Sequence, residues 1–400
     1  MPRFPFPRSQ STQRPLVPAL SRRTALAGGL SSLALLAAGG CGGGADDQEQ
    51  PLSAAQAATD LARNGRYPAA LAVWVTPGDM EVEVRGVRRQ GGAAAATDDF
   101  FPVGSISKSM TATLAAVLVQ QGRIRWDTRS LEALPELAAG ARADYASVTL
   151  RDLLAHRSGL FPAATAAQVA RLPELSGTAQ QQRLQLVAWA ASLAPSVAPH
   201  GTPEYSNGGY VAAAAMLEKA ADEGYEALLR ERVFVPLGAR VQFGAPGAGG
   251  TGEPRGHQIA GNRWEPMDPE DPQVEVPPFA NPAGGVKLRG ADLARYLQMH
   301  LRALRGETGG VLTPASAAEL HTPVQKGFAL GWMEGSGLDG QPLSWHNGSD
   351  DASYHALAAV SRRRRTAAAI VLTGLGPKSE SDASAVVARM LIPRYTTELD

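Results

Sequence analysis

Runs typical of β-strands lie at the two ends of this chain, and patterns typical of helices lie between them. Residues 69–76 are apolar, a Pro-Gly-Asp turn follows, and residues 80–87 alternate charged side chains with valines, which predicts a hairpin with one solvated face. Further strands are predicted at 328–333, 342–345, 354–360 and 367–373. We therefore expect the N-terminal hairpin to join the C-terminal strands in one antiparallel sheet.

This order of elements predicts an α/β fold of the α+β type, an antiparallel sheet flanked by helices with an inserted all-helical domain. The sheet domain is expected to comprise residues 53–125 and 285–400, and the helical domain residues 126–284, with a cleft where the two meet. Loops from the glycine- and proline-rich stretch 244–282 are expected to line the pocket. Helices are predicted at 53–64, 105–121, 148–156, 180–193, 209–221, 228–237, 291–304 and 382–391.

The beginning of the chain has the character of an export signal. A pair of arginines precedes the mildly apolar run 25–38, which is shorter than the ~20 apolar residues that a spanning helix needs. Small residues then lead to Cys41 in a pattern that resembles a lipoprotein cleavage box. We expect residues 1–41 to be a twin-arginine-type signal peptide with lipidation at Cys41, and residues 42–52 to be a flexible tether. The alternative is an incidental cysteine in an ordinary signal.

Charge and cysteine content exclude several classes of protein. Acidic and basic residues number 38 each, so nothing favours nucleic acid or an anionic surface as a partner. Cys41 is the only cysteine, which excludes an intramolecular disulfide. The histidines show no metal-like spacing, and neither a metal nor another cofactor is expected. We expect contact with a membrane only through the lipid anchor, and a location in the periplasm or cell envelope.

Ser105 and Lys108 form the only Ser-x-x-Lys pair of the chain and open a predicted helix, and this spacing puts them on one face of it. A serine hydroxyl is a poor nucleophile until a neighbouring base takes its proton, and an amine desolvated by burial can act as that base. By itself the pair is also compatible with a helix cap followed by a solvated lysine.

Two further motifs follow in the order that such chemistry would need. Tyr205 and Asn207 form the only Tyr-x-Asn of the chain. Both residue types are scarce, so such a pair is seldom expected by chance. His346 and Gly348 form a His-x-Gly at the end of a predicted C-terminal strand. The latter alone says little because glycine is common, so the order and placement of the three motifs carry the argument.

With these motifs the sequence resembles the serine β-lactamase and penicillin-binding-protein superfamily, close to the class C β-lactamase-related branch with its D-Ala-D-Ala peptidases and esterases. Tyrosine in the second motif is typical of that branch, and histidine in the third occurs in some of its peptidases. The resemblance extends from about Tyr67 to about Gly374. Flanking stretches that also fit are 101–104, 153–160, 281–285 and 330–332.

The chemistry and the resemblance together assign a role to each motif residue. Ser105 is expected to be the nucleophile, and Lys108 and Tyr205 to share the proton as candidate bases, with either one able to hold it. Next to a cationic Lys108, the phenol of Tyr205 is expected to ionise more easily. Asn207 is expected to hold Lys108 and a substrate carbonyl. The backbone amides of Ser105 and Ser349 are expected to form the oxyanion hole.

His346 replaces the lysine that is usual in the third motif. Histidine titrates near pH 6.5, so a charge that attracts a substrate carboxylate is expected to be lost above that pH. This disfavours β-lactam hydrolysis and leaves peptidase and esterase chemistry open. Gly348 is expected to let a substrate backbone lie along the strand edge. The stretch 281–285 is a candidate for the pocket border, and His156 is interpreted as a structural histidine.

The sequence therefore predicts an exported serine hydrolase that forms an acyl-enzyme from an ester, an amide or a β-lactam. Its partner is expected to be a small molecule or a peptidoglycan-type substrate. The alternative is a penicillin-binding sensor or scaffold of the cell envelope that is acylated without turnover. A third interpretation, an interaction protein with a vestigial site, is disfavoured because Ser105, Lys108, Tyr205 and Asn207 are all present.

Overall fold

Strands from both ends of the chain pair in one antiparallel sheet in the computed structural model, which describes residues 50–392 except 251, 326, 339 and 364. The strands are β1 (Ala69–Val75), β2 (Met80–Gly86), β3 (Phe101–Pro102), β4 (Gln242–Phe243), β5 (His257–Ala260), β6 (Arg263–Pro266), β7 (Val286–Leu288), β8 (Met333–Ser336), β9 (Pro342–Ser349), β10 (His355–Ser361) and β11 (Thr366–Leu372). The main sheet has the order β2-β1-β11-β10-β9-β8. The predicted pairing of the N-terminal hairpin with the C-terminal strands is confirmed.

Helices cover both faces of this sheet. They are α1 (Ala54–Ala62), α2 (Ser107–Gln120), α3 (Ser130–Ala133), α4 (Leu150–Leu154), α5 (Ala166–Val169), α6 (Ala179–Ser192), α7 (Asn207–Ala221), α8 (Tyr225–Leu229), α9 (Asn281–Gly284), α10 (Gly290–Leu304), α11 (Pro314–His321) and α12 (Ser379–Met390). The sequence-predicted signal peptide, most of the tether and Cys41 lie outside the described residues. Within the part of the chain that is described, no helix is long and apolar enough to cross a bilayer.

Strand β1, next to the edge strand β2, is buried along its whole length because its two faces belong to different cores. Leu71 and Val73 face a large core that includes α2, α7 and α10, whereas Ala72 and Trp74 face a smaller core with α1 and α12. Alternate side chains of a strand point to opposite faces, so one apolar run serves both layers. This layering confirms the predicted antiparallel sheet flanked by helices.

A second, small sheet brings together the two segments that hold the site. β7 lies between β3 and β4, and Phe101 pairs with Leu288 and Pro102 with Lys287. The chain leaves β3 directly toward Ser105, and it enters β7 directly from α9. This pairing therefore sets the start of α2 beside α9.

The strand predicted at 328–333 is wrong in its position, because β8 starts at Met333. Leu330 and Trp332 are buried in the large core rather than in a sheet. Gly331 has φ 77°, and a Cβ there would lie 2.8 Å from the backbone oxygen of Lys108. The run is apolar because this loop packs closely on α2. The loop region 244–282 contains the β5–β6 hairpin, which the sequence pattern did not predict.

The helical middle of the chain is joined by a buried ion pair. Arg183 on α6 donates from Nη2 to Glu218 Oε1 on α7 at 2.6 Å and to Glu226 Oε2 on α8 at 3.1 Å. Its Nη1 donates to the backbone oxygen of Pro278 at 3.0 Å. These contacts fix α7, the helix that begins at Asn207. The domain boundaries at 125/126 and 284/285 stay a prediction.

Removing the arginine should strongly destabilise the protein. The side chains of Arg183 and Glu218 are each 1% exposed, so Arg183→Ala leaves a buried carboxylate without its partner. We expect the free energy of unfolding, measured with urea, to fall by about 3–5 kcal/mol. The control is Arg63→Ala, which breaks an exposed pair with Asp60 and should cost less than about 1 kcal/mol. Equal losses for both variants would contradict the role given to Arg183.

Candidate active site

Ser105 lies in a 3₁₀ turn, Gly104–Ile106, that directly precedes α2. The expectation that Ser105 itself opens the α-helix is therefore wrong by two residues. Ser107 fixes the turn, because its hydroxyl donates to the backbone oxygen of Gly104 at 2.6 Å and accepts from the amide of Val286 at 3.0 Å. Ser105 is partly exposed, whereas Gly104 and Ser107 are buried. The nucleophile candidate is thus presented at the surface of a fixed turn.

Two glycines let this turn approach β9 backbone to backbone. A Cβ on Gly348 would lie 2.1 Å from the backbone oxygen of Val103 and 2.9 Å from the amide nitrogen of Ser105. A Cβ on Gly104, which has φ 53°, would lie 2.7 Å from the amide nitrogen of Ser349. The turn therefore fills the space beside Gly348, and this packing requires a glycine at that position. The amides of Ser105 and Ser349 border the same junction.

The end of β9 extends past its outer neighbour. The register of β8 with β9 runs from Ser336 opposite Pro342 to Met333 opposite Trp345. On the inner side, β10 continues to pair as far as Ser349. β8 therefore leaves the backbone edge of residues 346–349 uncovered, which is where a substrate backbone was expected to lie.

The amine of Lys108 is enclosed by acceptors from separate parts of the chain. Nζ lies 3.0 Å from Ser105 Oγ, 2.7 Å from Asn207 Oδ1 and 2.7 Å from the backbone oxygen of Ala283. The residue is 0% exposed, and burial lowers the pKa of its ammonium well below the ordinary value. Lys108 is thus a buried amine and not a solvated lysine. Ala283 also places the stretch 281–285 at the site.

Asn207 is held in one orientation at the start of α7. Its Oδ1 accepts from Lys108, and its Nδ2 donates to the backbone oxygen of Ala163 at 2.8 Å. Ser206 is the N-cap of the helix, and its hydroxyl accepts from the amide of Gly209 at 2.9 Å. The capped helix start therefore fixes the asparagine, with Tyr205 just before the cap.

The phenol of Tyr205 keeps its proton more firmly than the sequence led us to expect. Burial raises its pKa above the ordinary value, a hydrogen bond with Ser105 opposes this, and the negative charge of Asp351 adds to it. Lys108 Nζ lies over the tyrosine ring, 4.7 Å from the centroid. The expectation that Lys108 makes this phenol ionise more easily is therefore wrong.

His346 lies on β9, and its charge state also differs from the expectation. The residue is 1% exposed, and its Nδ1 donates to the backbone oxygen of Asn347 at 2.6 Å. Burial, with a contribution from the charge of Lys108, lowers the pKa of His346 to about 3. The imidazole is therefore neutral at neutral pH. The expected titration near pH 6.5 is wrong for this residue.

His156 belongs to the site, although its sequence context did not show this. Its ring stacks on the ring of Tyr205, with centroids 4.6 Å apart and an interplanar angle of 28°. Burial lowers the pKa of His156 well below the ordinary value, and the charge of Lys108 adds to this. The only signal in the sequence was the flanking resemblance of residues 153–160. Among the described residues, no group of three His, Cys, Asp or Glu side chains is placed to hold a metal ion.

The folded chain thus combines a hydroxyl, a buried amine, a neutral phenol and two backbone amides at the base of one sheet-flanking helix. The family model described as Beta-lactamase matches residues 54–390, so the chain belongs to the β-lactamase family, whose members are serine hydrolases of the β-lactamase and penicillin-binding-protein type. "Penicillin-binding protein 4" from Amycolatopsis lactamdurans is 30% identical over 307 residues, 73% of this chain and 77% of that protein.

Solved structures share the fold at lower identity. A D-stereospecific amidohydrolase from Streptomyces sp. is 24% identical with a TM-score of 0.61, and the match covers 80% of this chain and 93% of that one. The D-alanine carboxypeptidase AmpC from Burkholderia cenocepacia is 20% identical with a TM-score of 0.65, and the match covers 84% and 97%. The predicted superfamily and fold class are confirmed.

Buried neutral histidines should make the fold sensitive to acid. Burial lowers the pKa to about 3 for His346 and His300 and to about 4 for His355, from an ordinary value of 6.5. Below about pH 6.5 these imidazoles bind protons in the unfolded chain but stay neutral in the folded chain, so the free energy of unfolding falls as the pH falls. Urea unfolding at pH 7, 6, 5 and 4 should show little loss between pH 7 and pH 6 and a slope that approaches about 1.4 kcal/mol per pH unit for each such histidine between pH 6 and pH 5.

The control for this prediction is His355→Phe, which replaces one buried imidazole with a ring of similar shape that does not titrate. His355 Nε2 has no hydrogen-bond partner in the described structure, so the variant breaks no bond at that atom. Its stability should fall less steeply between pH 6 and pH 5 than that of the wild type. Identical slopes would contradict a neutral buried His355.

Proposed function

We propose that the protein is a serine hydrolase that forms an acyl-enzyme on Ser105 from an ester or amide and then hydrolyses it with water. The observation that carries this proposal is the enclosed amine of Lys108, in hydrogen-bond contact with the Ser105 hydroxyl, the Asn207 amide and the Ala283 carbonyl. A structural lysine needs only acceptors around it. Here one of the partners is a hydroxyl that can also donate.

The hydrogen-bond partners of Lys108 indicate that the proton moves from the Ser105 hydroxyl to the amine in the first step. Asn207 Oδ1 and the Ala283 oxygen can only accept, so each takes one N–H. A neutral amine then has its lone pair left for the third partner, the Ser105 hydroxyl, and burial favours this neutral form. Lys108 can therefore take the proton as Ser105 Oγ attacks the substrate carbonyl carbon.

The remaining steps use groups that border the same carbonyl. The negative oxygen of the tetrahedral intermediate is stabilised by the amides of Ser105 and Ser349. The neutral phenol of Tyr205, hydrogen-bonded to Ser105, donates a proton to the leaving group and recovers one from Lys108. The carbon–leaving-group bond breaks, and an ester to Ser105 Oγ remains. Water attacks this ester by the reverse proton path and releases the acid.

The charges at the site favour esters and amides that have no carboxylate over substrates whose carboxylate would have to bind at His346. That imidazole is buried and neutral, so it offers no positive charge. Asp351 adds a negative charge close enough to raise the pKa of Tyr205. The name of one structural neighbour, a D-stereospecific amidohydrolase, is compatible with acyl substrates of this kind.

A rate comparison tests both parts of the proposal. We expect a p-nitrophenyl short-chain ester and a D-amino acid amide to be hydrolysed faster than a D-Ala-D-Ala peptide or a chromogenic cephalosporin. Ser105→Ala and Lys108→Met should each lower kcat/KM by roughly 1,000-fold or more. The matched control is Lys219→Met, because Lys219 is an exposed lysine paired with Glu136 and should leave the rates unchanged.

The outcomes separate the alternatives. A fluorophosphonate probe that labels the wild type and Ser105→Ala equally would contradict the role of Ser105. Labelling or penicillin acylation without turnover of any substrate would favour the sensor. If the cephalosporin were the fastest substrate, the acyl-enzyme would stand and the inference from the neutral His346 would fail.

We further infer that the protein is exported and anchored by a lipid on Cys41. The support is the arginine pair, the apolar run 25–38 and the small residues before the cysteine. Cys41→Ser should move the protein from the membrane fraction to the soluble fraction of cells and abolish incorporation of labelled palmitate. An unchanged distribution and an unlabelled wild type would contradict the anchor.

A further inference from the structure

His156 lies in a backbone conformation that residues other than glycine seldom adopt. It follows α4 and has φ 59°, in the left-handed region, where residues other than glycine are uncommon. Such conformations cost free energy and persist where the surrounding structure holds them. The residue is 4% exposed. This conformation directs the backbone oxygen and the ring of His156 toward the same neighbouring segment, as its hydrogen bonds show.

These hydrogen bonds flank Tyr205 on both sides. The backbone oxygen of His156 accepts from the amide of Glu204 at 2.8 Å. Its Nδ1 accepts from the amide of Ser206 at 2.9 Å. Between these two bonds, the imidazole stacks on the ring of Tyr205 at 4.6 Å. One residue therefore contacts the residue before Tyr205, its ring, and the residue after it.

The residues that follow His156 are also hydrogen-bonded to the segment that precedes Tyr205. The amide of His200 donates to the backbone oxygen of Arg157 at 2.8 Å, and that of Ser196 donates to the backbone oxygen of Gly159 at 3.0 Å. The segment after α4 thus runs alongside the segment that leads to Tyr205. His156 is the member of this pairing whose side chain reaches the phenol ring.

The ring of His156 is itself held on its other sides. The ring of Phe328 meets it edge-on with centroids 5.5 Å apart, and the ring of Tyr210 lies 5.2 Å away. Because Nδ1 accepts from a backbone amide, the neutral imidazole carries its proton on Nε2. A proton on Nδ1 would break the bond to the Ser206 amide and place a positive charge in a buried site beside Lys108. The ring is thus suited to be a fixed, uncharged surface.

We propose that His156 is the positioning residue of Tyr205, which holds the phenol against Ser105 and the ring over Lys108. This inference rests on the proton-transfer role proposed for Tyr205. Without the imidazole, Tyr205 would lie at the end of a loop with one face unsupported. Small displacements of a proton-transferring group lower the rate of the chemical step without changing substrate binding.

Two variants separate the contacts of His156. His156→Asn keeps an acceptor for the Ser206 amide and tolerates the left-handed conformation, but it loses the stacked ring. His156→Phe keeps a ring and loses the acceptor. All rates are normalised to the fraction of sites that a fluorophosphonate titrates. We expect His156→Asn to lower kcat by roughly 10-fold to 100-fold with little change in KM, and His156→Phe to lower it as well.

The matched control is His321→Asn, the same change at a buried histidine that bonds His300 rather than Tyr205. It should lower stability and leave the normalised kcat unchanged. A change of KM rather than kcat for His156→Asn, or an equal loss in the control, would overturn the proposal. If His156→Asn does not fold, the normalised kcat of His156→Phe decides, and a value within twofold of the wild type overturns it.

A double-mutant cycle with Tyr205→Phe tests whether His156 acts through the phenol. We expect His156→Asn to lower kcat in the wild type and to have little further effect in Tyr205→Phe. If the two losses multiply, His156 does not act through Tyr205, and the positioning role fails while the role of Tyr205 stands. If Tyr205→Phe alone has the wild-type kcat, the role of Tyr205 fails first, and the inference about His156 fails with it.

Discussion

The burial of the Lys108 amine is the constraint on which the rest of this site depends. An amine out of water is costly unless its polar atoms have hydrogen-bond partners, and here the partners come from the turn before α2, the first residue of α7 and α9. These segments are far apart in the chain. The site can therefore form only when the sheet and the helical middle are both folded, and the lysine in turn holds the segments at a fixed distance.

Close backbone packing gives this arrangement its precision. Gly104 and Gly348 let the turn that carries Ser105 touch β9, and a Cβ at either position would collide with backbone atoms. The small sheet of β3, β7 and β4 sets α9 beside the same turn. Backbone contacts of this kind cannot relax as flexible side chains do, so the hydroxyl, the amine and the amides are held together without the help of a ligand.

Local patterns predicted most of the fold and the motif residues. The hairpin at 69–87 and the pairing of both chain ends followed from alternation and from the order of the elements. The set of Ser105, Lys108, Tyr205 and Asn207 was predicted from the order and spacing of the motifs together with the family resemblance. The sequence could not show what depends on tertiary burial. The type of residue at His346 suggested a titration that its buried environment removes.

Two further features of the site could not be predicted from the order of side chains in the sequence. The partner from α9 is a backbone carbonyl, that of Ala283, and a carbonyl carries no sequence signal. His156 meets Tyr205 only because two distant loops pair. Once they do, His156 and His346 are both kept neutral by burial beside Lys108. Neither imidazole then competes for the Ser105 proton, so the proton is left to move between the hydroxyl, the amine and the phenol.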